Sequence, residues 1–251
     1  MIKILLSGCF GRMGSAVISA ACENGKIEII SGVDITEGES SFPVYKSIFD
    51  NAEVPDVIID FSHHSALPGI LNYAVKNNVP VVIATTGHNT EETKLMEDAS
   101  ERIPVFFSRN MSIGVNLLIA LSRKASEFLG LDYDVEIIEK HHRNKLDAPS
   151  GTALMIADAI AKTREDTSYV YDRHDRREKR SSEEIGIHAV RGGSIIGEHE
   201  VIFAGKDEVI TISHSAASRS LFAAGAIKAA EFIIGKEPNL YSMDDLLREI
   251  I

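Results

Sequence analysis

The sequence predicts an α/β protein: a Rossmann-type doubly wound parallel sheet joined to a second, smaller α+β domain built on a mixed sheet. Three observations predict it. An apolar run at residues 2–7 passes through Gly8, Gly11 and Gly14 into an amphipathic segment. Apolar runs and helical segments then alternate from residue 56 to residue 108, the pattern of a parallel sheet covered on both faces. Beyond residue 184, three strand-like runs follow one another across short turns with no helix between them.

At 251 residues the chain is long for one core and short for three, since domains usually run to roughly 100–200 residues. Its 44% hydrophobic and 25% charged content is ordinary for a soluble globular protein. The formal net charge of -11 repels polyanions and argues against non-specific binding to nucleic acid or membrane surfaces. An anionic substrate therefore needs a local basic pocket. The two cysteines, Cys9 and Cys22, fall in one strand-turn-helix and are expected as small buried hydrophobes rather than a disulfide. The first residues form too short an apolar run for a signal peptide, and about 18 uninterrupted apolar residues occur nowhere. A cytoplasmic protein is expected.

Residues 15–24 continue from the glycine turn as a helix, with Val17, Ile18, Ala21 and Cys22 at helical spacing. In G-x-x-G-x-x-G, Gly8 allows the tight turn, Gly11 lets backbone approach a pyrophosphate and Gly14 lets helix pack on strand. The helix amides then supply an anion site. Such a triplet alone is equally a tight turn without a ligand. Here residues 27–34 form a second strand ending in Asp34, where a dinucleotide fold places the carboxylate that accepts from ribose hydroxyls. Ile35, Thr36 and Glu37 offer no cation for a 2′-phosphate, which leans to NADH over NADPH; the compensating cation would be Arg12 in the glycine loop.

Strands are predicted at residues 56–61, 79–84 and 104–108 and helices at residues 65–77 and 90–102. Ligands of open α/β sheets bind outside the strand C-terminal ends. The loops there are Phe61-Ser62-His63-His64, Ala84-Thr85-Thr86-Gly87 and Ser108-Arg109-Asn110-Met111, which should line the nicotinamide half of the cleft. His63-His64 reads as a polar pair opening a helix rather than a metal site, because no cysteine or spaced carboxylate accompanies it.

A helix at residues 113–129, stopped by Gly130, begins the second domain, and a strand at residues 132–141 follows. A helix at residues 152–162 comes next, then a charge-rich stretch at residues 164–184 whose mixed signs fit a solvated or subunit-contacting loop. Strands at residues 185–190, 194–203 and 208–214 complete a sheet of three to four strands. Helices at residues 220–234 and after Ser242, the second with Asp245 as a variant capping box, need a sheet to cover and are assigned back to the first domain. The expected division is a dinucleotide-binding domain at 1–112 completed by 219–251, and a substrate-binding and oligomerisation domain at 113–218.

The chemistry concentrates in residues 136–153, E-I-I-E-K-H-H-R-N-K-L-D-A-P-S-G-T-A. A histidine has its proton available near neutral pH, and Lys145, four residues after His141, can donate a proton or hold a carboxylate. Taken singly, His141-His142 would be a solvated strand-end pair and Lys145 a surface cation. Pro149 stops the preceding segment, and Ser150, Gly151 and Thr152 open a helix whose free amides and hydroxyls favour a carboxylate. With Arg143 and Lys145 alongside, a dianion can be held in an otherwise acidic protein. Metal binding is the weaker alternative, since neither HExxH nor CxxC occurs.

That stretch closely resembles the signature of the dihydrodipicolinate (4-hydroxy-tetrahydrodipicolinate) reductases of lysine and diaminopimelate synthesis. The likeness extends to G-x-x-G-R-M-G, D-F-S at 60–62, A-T-T-G at 84–87, S-R-N-M-S-I-G-V-N at 108–116, I-I-G-E-H at 195–199 and H-S-A-A-S-R at 214–219. The resemblance implies His141 as catalytic acid/base, Lys145 as second proton donor, and His142, Gly151 and Thr152 as contacts to a substrate dicarboxylate. It implies cofactor contacts at Gly8, Cys9, Phe10, Gly11, Arg12, Met13, Asp34, Ala84, Thr85, Thr86, Ser108, Arg109, Asn110 and Met111, and a homotetramer built through the second sheet. Two departures stand out: Ala84 where the family often has glycine, and Ile35 where an arginine can follow the ribose-binding acid. The implied reaction delivers a hydride from NADH or NADPH to a cyclic imine dicarboxylate. A sugar or semialdehyde dehydrogenase would share the first domain without needing the Ser-Gly-Thr cradle, and a dinucleotide sensor would bind cofactor without oxidising it.

Overall fold

The run Ile2–Ser7 forms β1, and from Ile4 onward it is wholly buried, as expected of a strand covered on both faces. A computed structural model of the chain describes residues 1–174 and 176–250 and divides it into two units, one of Met1–Ile113 with Arg219–Ile251, the other Gly114–Ser218. Asp175 of the predicted charged loop and the final residue of the predicted last helix lie outside the described residues.

In the first unit β1 is followed by α1 (Arg12–Asn24), β2 (Ile27–Val33), β3 (Val44–Tyr45), β4 (Val57–Asp60), α2 (Leu67–Asn77), β5 (Val81–Ile83), α3 (Thr90–Ser100) and β6 (Pro104–Phe107). The strands form one sheet in which every pairing is parallel. Its order runs outward from β1 through β2 to β3 on one side and through β4, β5 and β6 on the other. The strand order therefore reverses beside β1, and the turns after β1 and β4 open at that switch point. Gly14 is what lets α1 lie close to the turn: a Cβ there would sit 2.2 Å from the Gly8 carbonyl oxygen.

The second unit takes up α4 (Ile113–Leu129) from Gly114 onward, then β7 (Asp134–His141), α5 (Gly151–Ala161), β8 (Ser168–Val170), β9 (Glu184–Arg191), β10 (Glu198–Ala204) and β11 (Val209–Ser215). Its sheet has five strands rather than three or four, in the order β11-β10-β7-β9-β8. It is mixed, as predicted: β10 is antiparallel to both β11 and β7, whereas β9 is parallel to both β7 and β8. Strand alternation turns Val135, Ile137, Glu139 and His141 to one face, where the first two meet Leu118 of α4 and Ile156 and Ile160 of α5.

Several sequence expectations need correction. Strand β8 lies inside the stretch predicted as a charged loop, where three residues give too short a period to read. That stretch is also pinned rather than simply solvated. Arg164 donates to the carbonyls of Gly130 and Tyr133 at 2.9 and 3.0 Å, and Arg180 bridges Asp134 and Glu136 at 2.6 and 3.0 Å. Cys22 is exposed although Cys9 is buried, because α1 turns residue 22 away from the sheet. The first-sheet partner of β6 on its outer side is β12 (Asn239–Tyr241), a short parallel strand between α6 (Ser220–Ile233) and α7 (Met243–Ile250), where two helices without a strand were expected. Asp245 accepts from both the backbone N–H and the hydroxyl of Ser242, so the pair caps α7 from one side only.

Helix α6 buries Ala223, Ala226, Ala229 and Ala230 in the same core as Ile4, Leu6 and Ile59. The contact is close enough at one position to forbid a side chain. A Cβ on Gly225 would lie 1.7 Å from the Met111 carbonyl oxygen. Gly225→Ala is expected to cost about 1–3 kcal/mol through overpacking, measured as a lower urea midpoint; an unchanged midpoint would contradict this packing.

Candidate active site

The sequence-predicted site residues fall into two groups, one in each unit. In the first unit, the turn after β1 bends at Gly8, whose φ of +79° favours glycine and whose missing side chain leaves room for the Phe61 carbonyl, 2.6 Å from where a Cβ would be. The loop amide of Phe10 donates to Asp34 Oδ2 at 2.9 Å, and Thr36 donates to Oδ1 through both its N–H and its hydroxyl. Partial burial raises the Asp34 pKa, but those hydrogen bonds from Thr36 and Phe10 outweigh it and hold the carboxyl below its ordinary value. Asp34 is thus ionised and bonded to the glycine turn.

A cleft of about 460 Å³ beside that turn is lined by Gly8, Gly11, Asp34, Ile35 and Lys46. A second, of about 580 Å³, is lined by Arg12, Met13, Ala84, Thr85, Thr86, Arg109, Asn110 and Met111, and the two share Phe61, Ser62 and His63. These clefts bring together most of the predicted cofactor residues at the C-terminal ends of the parallel strands. Cys9 is buried in the core instead, and Ser108 is buried with its hydroxyl donating to the Asn110 carbonyl at 2.7 Å, so both shape the loops from beneath. A larger hollow of about 890 Å³ lies at the opposite, N-terminal edge of the strands, along Met1, Gly25, Val54 and Pro80. Ligands of such sheets do not bind at that edge.

Asp60 was legible only as part of a motif. It is fully buried at the end of β4, where Thr85 Oγ1 and Ser62 Oγ donate to it at 2.6 and 2.5 Å. One carboxylate thereby ties the loop after β4 to the loop after β5. His63 accepts the Ser65 N–H and opens the turn before α2, while His64 Nδ1 lies 2.7 Å from Glu92, the helix-opening role expected of the pair. Lys46 is a cation that reading along the chain missed. It reaches back from beyond β3 to the Ile35 carbonyl and to Glu37, at 3.2 and 3.1 Å.

The second unit holds the titratable cluster. His141 ends β7 on its inner face, and its Nδ1 lies 2.6 Å from Glu139 Oε2. Glu139 has no exposure. Arg191, register partner of His141 on β9, donates to both of its oxygens at 2.7 and 2.6 Å, and the Ser150 N–H donates to Oε1 at 3.0 Å. Desolvation raises the Glu139 pKa, yet the bonds from Arg191, His141 and Ser150 win and keep it below the ordinary carboxylate value. Because an ionised carboxylate only accepts, His141 Nδ1 carries the proton in that bond. Burial pushes His141 below its ordinary imidazole value, with Glu139 pulling the other way.

Ser150 caps α5, accepting from the Ala153 N–H, and its hydroxyl lies 3.0 Å from His199 Nε2. Gly151 is exposed at the first turn of α5 and Thr152 half-buried beside it. Lys145 is paired with Asp147 at 2.8 Å, and that pairing holds Asp147 below its usual range. His142 is half-buried, with its Nδ1 out of solvent and unpartnered in the structure. Glu139, Arg191 and His199 were not predicted as site residues; the two-residue alternation 139, 141 points to Glu139 and the I-I-G-E-H motif to His199, and no local signal points to Arg191. Among the described residues no group of three or more His, Cys, Asp or Glu is arranged to hold a metal ion, and no helix is long and apolar enough to cross a membrane.

Family models of dihydrodipicolinate reductase match this chain along most of its length, the N-terminal one over residues 2–111 and the C-terminal one over residues 114–247. The chain is 53% identical over 250 residues to the 4-hydroxy-tetrahydrodipicolinate reductase of Caldanaerobacter subterraneus subsp. tengcongensis, with 99% of each chain covered. It is 46% identical to that of Clostridium botulinum over 98% of each. Among solved structures, it resembles the dipicolinate-bound dihydrodipicolinate reductase of Paenisporosarcina sp. TG-14 with a TM-score of 0.78 and 25% identity, covering 96% of this chain and 97% of that one.

Burial pushes the His199 imidazole down from 6.5 to about 4, with the neighbouring His141 adding to the effect. Between those values the unfolded chain binds a proton that the folded chain refuses. Stability is therefore full above pH 6.5 and falls as pH drops toward 4, by on the order of 3 kcal/mol from this group. Thermal melts across that range should fall less steeply for His199→Gln; parallel curves for variant and parent would count against a buried neutral imidazole.

Proposed function

The chain belongs to the dihydrodipicolinate reductase family, and from that premise we propose that His141 is its catalytic acid/base, Lys145 a second proton donor, and His142, Gly151 and Thr152 its contacts to the substrate dicarboxylate. The reaction is the reduction of a cyclic unsaturated imine dicarboxylate, 4-hydroxy-tetrahydrodipicolinate or its dehydrated form, to tetrahydrodipicolinate in lysine and diaminopimelate synthesis. NADH or NADPH supplies the hydride. The single observation that carries the assignment of residues is the pairing of a buried, carboxylate-bound His141 with a capped helix start at Ser150, since it puts proton transfer and carboxylate binding on adjoining segments.

Each residue has a physical reason for its part. The first amides of α5 have no partners within the helix and attract a carboxylate. His142 is half-buried and follows the proposed acid directly in the chain. Lys145 is only partly exposed, and its ammonium is held by Asp147 rather than left to swing in water. Proton delivery falls to His141, whose ring is fixed from below by Glu139.

For the cofactor, Gly8, Phe10 to Met13, Asp34, Ala84 to Thr86 and Arg109 to Met111 are read as the contacts, with Cys9 and Ser108 supporting their loops from beneath, on residues 1–112 completed by 219–251 as the dinucleotide-binding domain. The bend at Gly8 and the exposed Gly11 leave backbone open to a pyrophosphate, and the ionised Asp34 suits ribose hydroxyls. A 2′-phosphate would meet Asp34 and Glu37, and Lys46 is already paired with Glu37. This supports NADH over NADPH. Residues 113–218 are read as the substrate-binding and oligomerisation domain of a cytoplasmic homotetramer, in which Val190 and Val209, both exposed on the second sheet, would be covered.

Turnover of enzymatically generated substrate, followed by nicotinamide absorbance with NADH and NADPH in parallel, tests the reading. His141→Ala and Lys145→Ala are each expected to lower kcat by roughly 10²–10⁴, and NADH is expected to give the higher kcat/KM. Near-normal turnover in both variants would sink the residue assignments. Sedimentation equilibrium should return the mass of four chains; a monomer would remove the oligomer reading.

A further inference from the structure

Glu139 is a charged side chain with no solvent exposure, one residue pair back from the proposed acid on the same strand face. A carboxylate left alone there would cost far more than it returns, so its partners must repay the desolvation. They do so asymmetrically. Arg191 grips both oxygens from β9 and is itself anchored to the Asp147 carbonyl at 2.6 Å, while the Ser150 N–H takes Oε1. The remaining direction on Oε2 points to His141 Nδ1 at 2.6 Å. Arg191 thus immobilises the carboxylate and the carboxylate immobilises the imidazole.

On the reading of His141 as the acid, we propose that Glu139, clamped by Arg191, is the positioning residue of this reductase: it holds the His141 proton on Nδ1 and leaves Nε2 as the atom that gives up and recovers the catalytic proton. Nε2 is the ring nitrogen that Glu139 leaves uncommitted. It faces Gly197, where a Cβ would stand 3.1 Å away. The His141 ring also meets His199 edge-on at 5.3 Å, and a protonated His199 would repel the imidazolium; its burial keeps His199 neutral. The charges acting on His141 are then Glu139 on its own strand, Arg191 on β9 and Lys145 in the following loop, with His199 on β10 and His214 on β11 as the other titratable groups on that face. Among the described residues, the anion Glu139 favours the imidazolium, and the cations Lys145 and Arg191 oppose it.

The test compares Glu139→Gln with Glu139→Asp and with the His141→Ala control. Loss of the anion should move the basic limb of the kcat profile to lower pH by about 1–3 units and so lower kcat at pH 8 by roughly 10–10³, with KM changed little. Glu139→Asp, which keeps the charge, should recover part of the limb. An unmoved limb in a folded Glu139→Gln protein overturns the inference, whereas normal turnover in His141→Ala overturns the assignment of His141 beneath it. Should Glu139→Gln not fold, nitrogen chemical shifts of His141 in the unaltered protein decide: neutral imidazole protonated on Nδ1 supports the proposal, and on Nε2 overturns it.

Discussion

A carboxylate without exposure at Glu139 sets the conditions for everything around the end of β7. Its charge is tolerable only because Arg191, His141 and Ser150 each direct a donor at it, and these come from a parallel neighbour strand, the same strand and the start of a helix. Satisfying one buried charge therefore fastens three backbone segments together. The chain between β7 and α5, which carries His142 and Lys145, is anchored at both ends by that arrangement. The helix start at Ser150 is fixed twice, by its own N–H to Glu139 and by its hydroxyl at His199.

The first unit uses the same device on a smaller scale. Asp60, also fully buried, gathers Thr85 and Ser62, and Asp34 gathers Phe10 and Thr36. Loops at strand ends are ordinarily the mobile part of an α/β fold. Here the loops after β1, β4 and β5 are each tied to a carboxylate at a strand end, which gives the clefts preformed walls. Both units thus use acidic side chains at strand ends as hydrogen-bond hubs.

Much of this was legible. The glycine turn, the alternation from β4 to β6, the strand ending at His141 and the helix opening at Ser150 all come from local periods and turn chemistry, and the structure repeats them with boundaries shifted by a few residues. Elements that failed to register were short ones: β3, β8 and β12 have two or three residues each, too few to show a period, and exist because a neighbouring strand offers an edge. Cys22 was misjudged because helical spacing marks two flanks of an apolar stripe and only packing decides which is covered.

The sequence by itself determined the fold class, the family likeness and the segments that carry chemistry, because these rest on residue types at fixed local spacing. Tertiary structure alone decided which side chains meet. Arg191 lies 52 residues from Glu139 and reaches it only through the parallel register of β7 and β9, and Lys46 comes to Glu37 only through the turn leading to β3. Gly225 and Met111 are adjacent for the same reason. No local pattern encodes such pairs, since a buried charge or a missing side chain takes its meaning from whatever the fold brings opposite it.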